Sequence, residues 1–113
     1  MTVLAEPILT AEVADQYEVV EPTEVRAFVA ARSHLASLLA EAPEKIALFF
    51  PGAPLRLEVH VDPEDGRETL LIRIRTNMET PAVIERMNVL LDKWYLDLPY
   101  DIQRDVMVIL GEL

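Results

Sequence analysis

The run LRLEVHVDPEDGRETLLIRIR, residues 55–75, constrains the fold more than any other part of this chain. Leu55, Leu57, Val59 and Val61 alternate with Arg56, Glu58 and His60, and Leu70, Ile72 and Ile74 alternate with Leu71, Arg73 and Arg75. Successive side chains on a strand point to opposite faces, so each run predicts a strand with one buried side. Between them, Pro63 sets φ and Gly66 accepts a left-handed conformation, which is turn chemistry. An antiparallel hairpin is expected. Odd positions of the first strand must share a face with even positions of the second, so facing residue numbers add to an odd value. A sum of 131 places Glu58 opposite Arg73 and Arg56 opposite Arg75, whereas 133 places Glu58 opposite Arg75 and His60 opposite Arg73. Either way Glu58 gains an arginine.

Helical spacing surrounds the hairpin. Val25, Phe28, Val29, Arg32, Leu35, Leu38, Leu39 and Ala42 recur at three and four residues. They predict one amphipathic helix, capped by Thr23 and ended or bent by Pro43. APEKIALFFPG then predicts a short helical turn with Pro43 at its first position and Pro51 and Gly52 as its stop. After the hairpin, Thr80 and Pro81 form a cap and first-position pair, with Ile84, Met87, Leu91, Trp94 and Leu98 at helical spacing up to Pro99. A buried strand is expected over 105–112, from the apolar run VMVILGEL that begins at Val106. The expected fold is α+β, a two-layer sandwich of order α-β-β-α-β. It has a three-stranded mixed sheet with the helices on one face. The final strand is expected parallel to the second hairpin strand, either beside it or with strand 55–61 between them.

The chain has 113 residues, enough for one core. Domain organisation is read as an acidic arm, 1–22, followed by a single domain, 23–113. The arm is set apart by charge. Twenty acids face ten Lys and Arg, for a net −10, and residues 1–25 hold six acids with no Lys or Arg. A helical turn after Thr10 and an extended piece at YEVVEP are expected within it. Such a balance repels phosphate backbones and anionic lipid surfaces, so neither nucleic acid nor membrane is an expected partner. No apolar stretch approaches the ~20 residues of a membrane span, and the first residues lack a secretory leader. With no cysteine, a disulfide framework and thiolate chemistry are excluded. A cytoplasmic location is the expectation.

Chemistry-bearing residues are sparse. Glu58, His60 and Asp62 share a strand face, but the arginines brought across by the hairpin oppose a cation, and an ion-pair surface explains them better than a metal. The acids around Gly66 lack the ligand spacing of a calcium loop. Ser33 and His34, being sequence neighbours, do not face each other on a helix. No nucleophile with a base, phosphate-cradling loop or inward carboxylate pair is present. No enzyme, metal or cofactor is therefore expected. Trp94 falls on the core side of its helix, while Tyr95, about 100° further round, falls at a boundary. The residues nominated for partner contact are Glu12, Asp15, Tyr17 and Glu18 of the arm, with Tyr95.

Taken in order, LASLLAEAPEKIALFFPGAPLRLEVHVDPEDGRETLLIRIRT, then TPAVIERMNVLLDKWYLDLP and a final apolar strand resemble a group of small uncharacterised bacterial proteins. Their pattern is a helix, a proline-started turn ending in Phe-Pro, an LEV…DPE hairpin, and a helix ending in two aromatics followed by Leu-Asp. The resemblance spans residues 35–113 and leaves the arm outside. Tyr95 stands where a second tryptophan is usual. It implies a companion encoded beside another small gene, in the manner of antitoxins, and carries over no catalytic residue. The leading expectation is a protein-binding module, an antitoxin-like partner of a basic protein. A homo-oligomer joined through the arm or a sheet edge is the alternative, and a small-molecule binder or enzyme a weaker one.

Overall fold

The computed structural model describes residues 11–77 and 80–111, with only the backbone described for residues 11, 12 and 80. Its elements are α1 (Ala11–Ala14), β1 (Glu18–Val19), α2 (Pro22–Ala31), α3 (Leu35–Ala47), β2 (Leu55–Val61) and β3 (Glu68–Arg75), followed by α4 (Thr80–Lys93), a 3-10 turn (Tyr95–Asp97), α5 (Tyr100–Asp105) and β4 (Val106–Gly111). The architecture is α+β around one mixed sheet. Its order is β1-β2-β3-β4, with β1 parallel to β2, β2 antiparallel to β3, and β3 parallel to β4. The sheet has four strands, not three, because the arm supplies β1. Glu18 and Val19 pair with Arg56 and Leu57, and Val20 N–H donates to Leu57 O at 2.9 Å. The expected capping roles of Thr10 and the Thr80 side chain lie outside the described residues.

Within the hairpin the facing pairs are Leu55 with Ile74, Leu57 with Ile72 and Val59 with Leu70, a sum of 129. The parity is as expected, but both proposed sums are too large. Glu58 faces Leu71, and Arg56 faces Arg73. A longer pairing tightens the turn to Asp62–Arg67, where Asp62 N–H donates to Arg67 O at 2.9 Å. Glu58 nevertheless reaches an arginine, with Arg73 Nε at 3.3 Å on the diagonal.

The predicted single helix is two. Arg32 is spaced as a core-facing residue, four after Phe28 and three before Leu35, but its charge cannot enter an apolar core unpaired. The chain breaks there, at φ −132° and ψ 72°, and the guanidinium folds back over the Phe28 ring, 3.7 Å from its centroid. Pro22, not Thr23, opens α2, and Glu21 before it is left-handed at φ 54°. Pro43, expected to start a new turn, lies inside α3.

Buried side chains of α2, α3 and α4 form one cluster with Leu55 and Leu57 of β2, Leu70, Ile72 and Ile74 of β3, and Val106 and Val108 of β4. Trp94 belongs to it, its indole N–H donating to Glu41 Oε1 at 3.1 Å. The strand positions on the opposite face, Arg56, Glu58, His60, Arg73, Arg75, Met107 and Ile109, lie outside the cluster. Among the described residues, no helix is long and apolar enough to cross a membrane.

Candidate functional site

One aromatic side chain anchors the arm in the core, beside the pairing of β1 with β2. Tyr17 is 7% exposed, within the core, and its hydroxyl donates to Leu39 O at 2.7 Å. This bond answers a defect in α3. A helical carbonyl normally receives the N–H four residues on, and for Leu39 that position is Pro43, which has none. Tyr17 supplies the missing donor from another part of the chain. Burial raises its phenol pKa well above the ordinary value. Tyr17, expected at a partner contact, is a core anchor in this arrangement.

Anchoring Tyr17 fixes the acids around it. Glu18 binds across the outer face of the sheet, its carboxylate 3.4 Å from Arg56 Nη2 and 2.9 Å from Arg75 Nη1. Together with the Glu58 and Arg73 pair, it relieves the repulsion between facing Arg56 and Arg73. Asp15, Glu21 and Glu24 are exposed, and among the described residues none has a cationic partner within 4.0 Å. Glu12 sits in α1, its side chain outside the described residues. An edge of three uncompensated carboxylates therefore borders β1 and the start of α2.

Tyr95 lies far from this edge in the sheet order. It is half-buried, and its hydroxyl is 2.6 Å from Val106 O and 3.0 Å from Gln103 O, joining the 3-10 turn to the start of β4. Burial raises its pKa too. Its ring faces a shallow notch that Thr69 and Met107 also line.

One cluster escaped the sequence reading. His34, at the break between α2 and α3, places Nε2 3.2 Å from Asp105 Oδ2 and 4.0 Å from Asp101 Oδ2, and Arg104 Nε is 3.4 Å from Asp105 Oδ1. Asp105 is the buried charged residue among those described. The cluster ties the helix break to α5. The interrupted helical repeat at Arg32 was the available signal, since a break exposes His34 to a partner remote in sequence.

His60 is exposed and faces Thr69, while Asp62 Oδ1 accepts Glu64 N–H at 2.7 Å inside the turn. Among the described residues, no three or more His, Asp or Glu side chains are grouped to hold a metal ion. Comparison with known protein families, curated proteins and solved structures finds no match for this chain.

Proposed function

We propose that this chain is a protein-binding module, an antitoxin-like companion that meets a basic surface on another protein. Its body is a two-layer α+β sandwich with the helices on one face of the sheet. The observation that carries this is the fixed acidic edge: Tyr17 is locked into the core, while Asp15, Glu21 and Glu24 remain exposed without cationic partners among the described residues. A charge held in place loses less freedom on binding than one on a mobile tail. Uncompensated carboxylates also speed encounter with a basic surface and make it salt-dependent. Glu21 in its left-handed conformation turns the chain out of β1 into α2, a local cost of about 1 kcal/mol that the surrounding pairing must hold. The proposed compartment is the cytoplasm, and no reaction or cofactor is assigned.

Pull-down from the native cells identifies the partner, and stopped-flow association then tests the edge. The triple variant Asp15→Lys, Glu21→Lys, Glu24→Lys should associate at least about tenfold more slowly at low salt, with a flattened ionic-strength dependence. An unchanged rate and salt dependence would refute the acidic edge as the contact.

A further inference from the structure

The opposite edge of the sheet is built differently. Thr76 N–H donates to Gly111 O at 3.0 Å, so strand alternation turns the backbone groups of Met107, Ile109 and Gly111 towards β3 and those of Val106, Val108 and Leu110 outward. Val106 is closed: its N–H donates to Ile102 O and its carbonyl receives Tyr95. The outward N–H and C=O groups of Val108, itself 6% exposed, and of half-buried Leu110 have no partners among the described residues. β4, VMVILG, contains no charge and no proline, and its register with β3 runs unbroken. Those are the usual guards of an exposed edge, and their lack here leaves a strand ready to pair.

Beside the closed end of that edge lies a notch of about 360 Å³, lined by Arg67, Thr69, Tyr95, Tyr100, Arg104 and Met107 together with Gln103. No carboxylate lines it, although the chain carries a net −10. The Arg67 guanidinium donates to Arg104 O at 2.9 Å and has no carboxylate within 4.0 Å among the described residues, while its backbone N–H donates to Asp65 Oδ1 at 2.9 Å. Tyr100 and Met107 are 78% and 50% exposed. The notch therefore offers an arginine, a phenol and an apolar wall to an anion that arrives along β4.

We propose that β4 and this notch form a strand-addition site for an extended segment of a partner protein, with an acidic side chain of that segment held by Arg67. This rests on the protein-binding reading and deepens it by adding a second surface, at the far edge from the acidic one. Backbone pairing with Val108 and Leu110 supplies affinity, and the arginine notch supplies register and selectivity for a carboxylate. Tyr95 sets where the added strand must stop, because its hydroxyl already occupies Val106 O.

Selection of a random peptide library on the intact chain tests this. The enriched peptides should alternate apolar positions and carry one acid at a fixed end. Arg67→Ala should weaken the best of them about tenfold or more, as loss of a charge-assisted hydrogen bond does. Replacing that acid by its amide in the peptide should act alike, and the two losses should not add. Leu110→Pro removes an N–H that points away from β3, where an edge strand tolerates proline, and should also abolish binding while circular dichroism and Tm report an intact fold. Methylation of alternate peptide nitrogens gives the same loss without altering the chain. Acid-free peptides, or binding indifferent to Arg67→Ala and to peptide methylation, would overturn the proposal. Concentration-dependent self-association of the pure chain that Arg67→Ala abolishes would also overturn it, assigning the edge to a second copy. Both variants leave Asp15, Glu21 and Glu24 untouched, so a partner still captured in a salt-dependent manner by both would sink this site and spare the acidic edge.

Discussion

Replacing Tyr17 by phenylalanine removes one oxygen and tests whether the arm is locked to α3 through the proline defect. The ring stays buried, so little apolar area is lost. What changes is Leu39 O, which loses the 2.7 Å bond and has no helical N–H in reserve because residue 43 is proline. Leaving a buried carbonyl unsatisfied costs about 1–3 kcal/mol. For 113 residues the unfolding entropy scales to roughly 4 °C of Tm per kcal/mol, so the expected fall is about 4–12 °C. The decisive assay is a double-mutant cycle by urea denaturation with Pro43→Ala. Alanine restores an N–H at position 43 that can serve Leu39 O, so Tyr17→Phe should cost about 1 kcal/mol less in that background. Additive effects, within about 0.3 kcal/mol, would show that the hydroxyl and the proline do not share this carbonyl.

Three further outcomes are expected. The folded state keeps the Tyr17 proton that the unfolded chain releases near its ordinary value of about 10; stability contributed this way is complete below that pH and lost above it. An alkaline titration followed by circular dichroism should therefore show the wild type losing stability more steeply above pH ~10 than Tyr17→Phe does. Gly111→Ala would place a Cβ 2.6 Å from Arg73 Cδ and 2.7 Å from Cγ. The flexible stem must then move and open the pair with Glu58, so Glu58→Gln, worth about 0–1 kcal/mol in the parent, should cost nothing measurable beside Gly111→Ala. His34→Ala removes one partner from the buried Asp105 carboxylate. It should destabilise by about 1 kcal/mol by urea denaturation, since Arg104 still pairs the carboxylate, with part recovered in His34→Ala, Asp105→Asn.

Where a side chain's fate depends on its neighbours in sequence, the sequence was a good guide. Alternation over Leu55–Val61 and Leu70–Ile74 determined two strands and the face each buries, because a one-residue slip would turn every leucine to water. It left the choice among odd sums open, and the tightness of the Asp62–Arg67 turn decided for 129. The spacing of Ile84, Met87, Leu91, Trp94 and Leu98 put Met87 and Trp94 against the core, but the buried face is turned towards Val83 and Leu90 and leaves Ile84 50% exposed. Periodicity alone carried the prediction across Arg32, where the cost of burying a guanidinium breaks the helix. It also stopped at Pro43, through which α3 continues.

The candidate site divides in the same way. The excess of acid before residue 26 is a property of composition and could be read directly. That Tyr17 is an anchor, that Glu18 is spent on Arg56 and Arg75, and that Asp15, Glu21 and Glu24 remain are consequences of contacts made by residues tens of positions apart. The same holds for the open edge of β4 beside Arg67. Periodicity and charge report which way a residue leans along its own segment. Only the packed chain determines which carbonyl lacks a donor, and which strand ends the sheet, because both depend on what the rest of the molecule brings alongside.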